Sequence, residues 1–228
     1  MIINKINFPI YGIMIVSSIL AGMIYILLNI KNLLKKDRRL SLYFILVFPF
    51  TIIFGIYFTM ITSGDFSLTR IGLSSYGGLI GLILSAIIFN FIVPNNNQIL
   101  KYTILALPLI YGISKLGCFF AGCCYGIPYN GPLNVSYPFN DVYNVLPIQL
   151  IETITFIIAF IILNKFKNNS NIIYITIVVG AVLKGLLDFL RDSHINQIIS
   201  VNQIFSIILI VLVCVIFIVN KKKKIKRN

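Results

Sequence analysis

Long apolar runs alternate with short polar segments along the entire chain. The runs fall at roughly residues 10–30, 41–61, 72–93, 100–120, 147–164, 171–190 and 203–220. Most of them have about the 20 residues that an α-helix needs to cross a hydrocarbon layer of roughly 30 Å. The pattern therefore predicts an all-α fold, a polytopic membrane bundle of about seven transmembrane helices.

The composition indicates that lipid is the main solvent of this chain. Hydrophobic residues make up 58% of it and charged residues 11%, with a mean hydropathy of +0.96, whereas a soluble domain has about 25% charged residues. We therefore expect residues 1–228 to form a single integral membrane domain with a basic tail at 221–228. The first run is expected to remain as a helix, because its basic cluster follows it, unlike that of a cleaved signal peptide.

The basic residues predict the orientation of the bundle. Fourteen of the 19 basic residues lie in the segments after the first, third, fifth and seventh runs. The positive-inside rule places these segments in the cytoplasm, with the N-terminus outside and the C-terminus cytoplasmic. The segments at about 62–71, 118–147 and 190–202 then face outward. Attraction to anionic membrane lipids accounts for the lysine-rich tail, so no nucleic-acid partner is predicted.

Charged residues lie within or at the end of the later apolar runs, and those considered for a site are Lys115, Glu152, Lys184, Asp188 and Arg191. Charges are costly in hydrocarbon, so each is expected to face the bundle interior or to reach an interface. Lys184, Asp188 and Arg191 have the spacing i, i+4, i+7 of one helical face, where Asp188 can pair with either cation. The cluster is either a set of packing ion pairs or a cationic site for an anionic head group.

Two glycine-rich stretches adjoin the predicted outer segments. They read GLSSYGGLIG at 72–81 and GISKLGCFFAGCCYG at 112–126. Glycine allows close backbone approach and unusual dihedral angles, and irregular backbone at membrane depth requires surrounding protein or a wet cavity. The stretches indicate either a polar pocket that opens outward or helices that pack closely through small residues.

Six stretches, taken in order, resemble the successive motifs of the prolipoprotein diacylglyceryl transferase family. They are FPIYGIMI (8–15), GLSSYGGLIG (72–81), SKLGCFFAGCCYG (114–126), LPIQLIE (146–152), KGLLDFLRD (184–192) and ISVNQIFS (199–206). The resemblance implies a seven-helix bundle of the bacterial cytoplasmic membrane with its N-terminus outside. It also implies transfer of the diacylglyceryl group of phosphatidylglycerol to the lipobox cysteine of a prolipoprotein signal peptide, without a cofactor.

The resemblance also assigns roles to individual residues. Tyr76 stands where the family has a histidine, and Lys115 stands where it has an arginine. The implied catalytic residues are Tyr76, Lys115, Glu152, Asp188 and Arg191. The implied substrate-binding residues are Gly77, Gly78, Gly117, Cys118, Gly122, Cys123, Gln149 and Lys184.

Two other functions stay open at this point. Cys118, Cys123 and Cys124 lie within seven residues of one outer loop and would serve a membrane thiol oxidoreductase if they formed a disulfide there. The resemblance implies that two family histidines are replaced, by Tyr76 and Leu146. Their loss fits a non-catalytic relative that binds lipid or a protein partner. No metal site is predicted, because the only histidine, His194, is expected in an exposed loop and no second cysteine pair is present.

Overall fold

The computed structural model describes residues 1–3, 10–36, 38–64, 66, 74–93, 97–195 and 197–225. These residues form seven α-helices and one two-stranded hairpin. The helices are α1 (Ile10–Lys36), α2 (Leu42–Ser63), α3 (Ser75–Ile92), α4 (Asn97–Ala121), α5 (Ile148–Lys165), α6 (Ile172–Asp188) and α7 (Val201–Ile225). The strands β1 (Val135–Tyr137) and β2 (Val142–Val145) lie between α4 and α5.

The predicted all-α membrane bundle is confirmed. Each apolar run contains one helix, and five of the described helices are long and apolar enough to cross a membrane, namely α1, α2, α4, α5 and α7. The other two are shorter, with 18 residues in α3 and 17 in α6. The outside N-terminus and the cytoplasmic C-terminus stay predictions, and the end of the basic tail at 226–228 lies outside the described residues.

Internal contacts divide the chain into two compact units. The larger unit consists of Met1–Leu20 and Pro108–Asn228, and the smaller unit is Ala21–Leu107. The boundaries fall within α1 and α4, so each of these helices contributes residues to both units. The expectation of a single membrane domain over the whole chain stays a prediction.

Close packing of α3 against α2 organises the smaller unit. A Cβ atom added to Gly81 would lie 2.8 Å from the Phe50 carbonyl carbon and 2.9 Å from Thr51 Cα, and closer still to the Phe50 carbonyl oxygen. One added to Gly77 would lie 2.9 Å from Gly55 Cα. The two helix backbones therefore touch along a glycine face, as small residues allow in bilayers.

Replacing Gly81 with alanine is expected to destabilise the smaller unit. Alanine favours a helix over glycine by about 1 kcal/mol, but the new methyl group would overlap backbone atoms that cannot rotate away. Overpacking costs about 1–3 kcal/mol, so we expect a lower thermal unfolding midpoint in detergent. Gly78→Ala is the control, because the atom nearest to its added Cβ is Thr51 Cγ2 at 3.6 Å. A Gly81→Ala protein as stable as the Gly78→Ala control would contradict this packing.

A small hairpin follows α4 in the larger unit. Strands β1 and β2 are antiparallel, with Val135 opposite Val145. Their apolar side chains form a buried cluster with the end of α4 and with the first residues of the chain, made of Ile3, Phe119, Val135, Tyr137 and Val145. The predicted start of the outer segment at about residue 118 was too early, because α4 continues to Ala121. The hairpin was not predicted, because its strands have only three and four residues.

Gly122 forms the turn that ends α4. Its φ angle of +62° lies in the left-handed region, which glycine adopts without steric cost. An added Cβ atom would also lie 2.9 Å from ring atoms of Phe139 and Tyr137. Asn140 Nδ2 donates a hydrogen bond of 3.0 Å to the Gly122 carbonyl oxygen. The turn therefore requires glycine, and it folds the chain back toward the end of α4.

Candidate functional site

A carboxylate on α5 lies at the centre of the polar side chains of the larger unit. Glu152 has no exposed surface, and its Oε2 atom lies 3.1 Å from Lys115 Nζ. Its Oε1 atom accepts hydrogen bonds from Arg191 Nη2 at 2.6 Å and from the Tyr111 hydroxyl at 2.8 Å. Glu152 therefore links Tyr111 and Lys115 on α4 to Arg191, which lies three residues after the end of α6.

Tyr111 on α4 is a further member of this cluster, and it was not predicted from the sequence. Its hydroxyl group accepts hydrogen bonds from Lys184 Nζ at 3.1 Å and from Arg191 Nη2 at 3.4 Å. The Nζ atoms of Lys184 and Lys115 lie 4.6 Å and 5.0 Å from the centre of its ring, where the π face attracts cations. A tyrosine within an apolar run has no charge to mark it. Its position four residues before Lys115, on the same helical face, was the available signal.

A second carboxylate, Asp188, ends α6 and is also fully buried. The Ser200 hydroxyl donates to its Oδ2 atom, and Asn202 Nδ2 donates to its Oδ1 atom at 3.1 Å. Arg191 Nε lies 3.5 Å from Oδ1, and His194 Nε2 lies 3.7 Å from Oδ2. Asp188 thus connects the start of α7 to the guanidinium group of Arg191.

The cluster has an excess of positive charge. In their ordinary ionised forms Lys115, Lys184 and Arg191 are cations, whereas Glu152 and Asp188 are anions. The side chain of Arg191 is 11% exposed and that of Lys115 is 7% exposed, whereas Glu152 is fully buried. Burial lowers the pKa of Arg191, but the neighbouring phenol and carboxylate raise that pKa more strongly, so it lies above its usual value. Arg191 is therefore a permanent cation at the edge of the cluster.

The predicted helical face of Lys184, Asp188 and Arg191 needs correction. Helix α6 ends at Asp188, and Arg191 lies in the following turn, where its backbone bridges to that of Gly126. This turn, and not a continued helix, brings the guanidinium group to both carboxylates. The expectation for His194 was also wrong, because this residue lies in a short 3-10 helix with only 8% of its side chain exposed.

The glycine-rich stretch at 112–126 begins on α4, which also carries Tyr111 and Lys115 of the cluster around Glu152. Gly117 packs α4 against α1, since an added Cβ atom would lie 3.0 Å from Met14 Cβ. Gln149, in the first turn of α5, is fully buried and donates a hydrogen bond of 2.8 Å to the Cys123 carbonyl oxygen. Cys118 belongs to the last turn of α4 rather than to a loop. The predicted substrate contacts of these residues stay predictions.

The predicted site residues Tyr76, Gly77 and Gly78 belong to the smaller unit. Tyr76 is buried in the first turn of α3, and Gly77 packs against α2 as described above. Their catalytic and substrate-binding roles stay predictions.

Sequence similarity to known proteins extends over nearly the whole chain. The family model described as prolipoprotein diacylglyceryl transferase matches residues 1–219. A Clostridium tetani protein named phosphatidylglycerol–prolipoprotein diacylglyceryl transferase is 27% identical over 166 residues, which cover 67% of this chain and 66% of that protein. A Clostridium perfringens protein with the same name and the number 2 is 24% identical over 165 residues, which cover 67% of this chain and 64% of that protein. The chain thus spans about two thirds of the length of these curated relatives.

Proposed function

The chain belongs to the prolipoprotein diacylglyceryl transferase family, and from this premise we propose that it is a membrane transferase with that activity. The proposed donor is phosphatidylglycerol, and the acceptor is the lipobox cysteine in the signal peptide of a prolipoprotein. The names of the similar clostridial proteins mention phosphatidylglycerol and prolipoprotein. The proposed location is the outer face of the bacterial cytoplasmic membrane.

The proposed reaction develops negative charge on a phosphate group. The thiol loses its proton to a base, and its sulfur forms a bond with the glyceryl carbon that carries the phosphate ester. The carbon–oxygen bond breaks, and the electron pair leaves on the phosphate oxygen as glycerol phosphate. The phosphate group thereby gains one negative charge, which fixed cations in a water-poor site stabilise.

The observation that carries this proposal is the set of three basic side chains gathered around Glu152 and Tyr111. Lys115 and Arg191 contact opposite oxygens of Glu152, and Lys184 joins them through the Tyr111 hydroxyl group. Arg191 is the most exposed of the three, so we assign it the first contact with the phosphate. Its guanidinium group carries further N–H donors beyond those that contact Glu152, Tyr111 and Asp188, and its charge is permanent, whereas a lysine acts as a point charge.

Glu152 and Asp188 act in this proposal as positioning residues. Donors already lie against both oxygens of each carboxylate, from Tyr111, Lys115 and Arg191 on Glu152 and from Ser200 and Asn202 on Asp188. A carboxylate in such contact orients its cations and limits their movement. This preorganisation is the usual source of electrostatic catalysis.

Complementation tests the proposed activity. A bacterial strain depleted of its own diacylglyceryl transferase would express this protein and receive a phospholipid with radiolabelled acyl chains. We expect the label to appear on prolipoproteins and growth to be restored. Membrane insertion is checked by fractionation and by alkylation of the protein's thiols in intact cells. An inserted protein that labels no prolipoprotein would contradict the proposal and favour the non-catalytic relative.

A further inference from the structure

The structure places three thiol groups together beside the ion cluster. The Sγ atoms of Cys118, Cys123 and Cys124 all lie within 4.8 Å of one another, and all three cysteines are free. We propose that these thiols bind a thiophilic metal ion of the zinc and cadmium class through three thiolate ligands. This proposal goes beyond the transferase reaction, whose steps as written above involve no metal ion.

The local backbone explains why these cysteines meet despite a spacing that indicates no metal site. Cys118 lies in the last turn of α4, and Gly122 reverses the chain immediately afterwards. The Cys123 amide then donates a hydrogen bond of 3.1 Å to the Cys118 carbonyl oxygen. Cys124 takes a left-handed conformation with φ of 57°, which is uncommon for a residue with a side chain. The turn therefore brings all three side chains to one place.

The distances and the donor set fit a soft or borderline metal ion. Zinc–thiolate bonds of about 2.3 Å imply sulfur–sulfur separations of about 3.8 Å around a tetrahedral ion. Small side-chain rotations close the gap from the observed upper limit of 4.8 Å. Thiolate ligands favour zinc, copper(I) and their heavier relatives over magnesium or calcium. Each thiol releases its proton when it binds the ion.

Burial and neighbouring charge also suit a bound ion. Cys118 is only 9% exposed, whereas Cys124 is exposed, so an ion can enter from one side and rest on a protected ligand. The hydrogen bond from Gln149 to the Cys123 carbonyl oxygen fixes the middle ligand. Three thiolates and a divalent ion leave one net negative charge. Lys115 lies one helical turn before Cys118 and can balance this charge.

Cadmium titration of the full-length protein tests the site. The purified protein, fully reduced in detergent micelles, would be titrated with Cd²⁺ while the ultraviolet thiolate-to-cadmium charge-transfer band is recorded. We expect one ion per chain, and a weaker apparent affinity for Cd²⁺ when excess Zn²⁺ is present. Cys123→Ser and Cys124→Ser should each weaken binding by at least about 100-fold, because each removes one of the three ligands.

Cys214→Ser is the matched control, since it removes one thiol from α7 and leaves the proposed ligands intact. The control should bind Cd²⁺ like the unaltered protein. A charge-transfer band that survives Cys124→Ser unchanged, or that falls equally in the control, would overturn the proposal. Thermal unfolding of each variant without metal identifies a loss of fold. If Cys123→Ser and Cys124→Ser both unfold, Cys124 would be alkylated in the folded parent protein instead. The charge-transfer band should then be lost, and a band that persists would overturn the proposal.

Discussion

Replacing Glu152 with glutamine is expected to produce the largest loss of both stability and transfer. The change leaves Lys115 and Arg191 buried without the carboxylate that each now contacts at 3.1 Å and 2.6 Å. Removing one partner from a buried ion pair costs about 3–5 kcal/mol, because the remaining charge stays desolvated. The Tyr111 hydroxyl also loses an ionised acceptor. We expect a lower unfolding midpoint in detergent and transfer reduced by about 100-fold or more.

Asp141→Asn is the matched control for this substitution. It makes the same carboxylate-to-amide change at an exposed turn position, where φ is 54° and asparagine is well tolerated. The control should keep the unfolding midpoint and the activity of the parent protein. A Glu152→Gln protein with the stability of the Asp141→Asn control would show that the observed ion pairs do not hold this unit together.

Replacing Arg191 with lysine is expected to lower transfer strongly while keeping most of the stability, because it removes the planar guanidinium group but keeps the positive charge. Arg191 contacts Glu152 through Nη2 and Asp188 through Nε, and a lysine ammonium group cannot hold this forked arrangement. The positive charge remains, so the expected stability loss is smaller than for Glu152→Gln. Transfer should nevertheless fall by about 100-fold, since removal of one well-placed donor to a developing oxyanion costs about that much.

Arg39→Lys provides the matched control, because it makes the same change at an exposed position. Steady-state kinetics with phosphatidylglycerol would be measured for both variants. The proposal predicts that kcat falls for Arg191→Lys, because the missing contact is strongest when the phosphate leaves. A variant that retains the parent kcat would exclude Arg191 from phosphate stabilisation.

The helices of this protein were largely predictable from its sequence, because seven apolar runs in a charge-poor chain leave few other folds. The burial of the charged side chains was predictable for a related reason. Charges are so costly in hydrocarbon that Lys115, Glu152 and Asp188 were expected to face the bundle interior or to reach an interface. Their pairing could not be read from spacing, since Lys115 and Glu152 lie on different helices and only the fold brings them together.

Other parts of the site depend on backbone geometry that apolar patterns do not encode. The end of α6 at Asp188 and the bridge between Arg191 and Gly126 replace the continuous helix that the spacing indicated. The turn at Gly122 similarly moves two cysteines next to Cys118 on α4. Tyr111 was missed because an uncharged aromatic residue in an apolar run resembles ordinary packing.

In the proposed mechanism, the cluster of Lys115, Lys184 and Arg191 stabilises the phosphate that leaves during diacylglyceryl transfer. The most direct test incubates the purified protein with a lipobox peptide and phosphatidylglycerol labelled in both its acyl chains and its terminal glycerol. We predict one labelled glycerol phosphate released for each diacylglyceryl group on the peptide, with both products reduced together by about 100-fold in Arg191→Lys. Folded parent protein that makes neither product, or an Arg191→Lys variant that makes both at the parent rate, would contradict the claim.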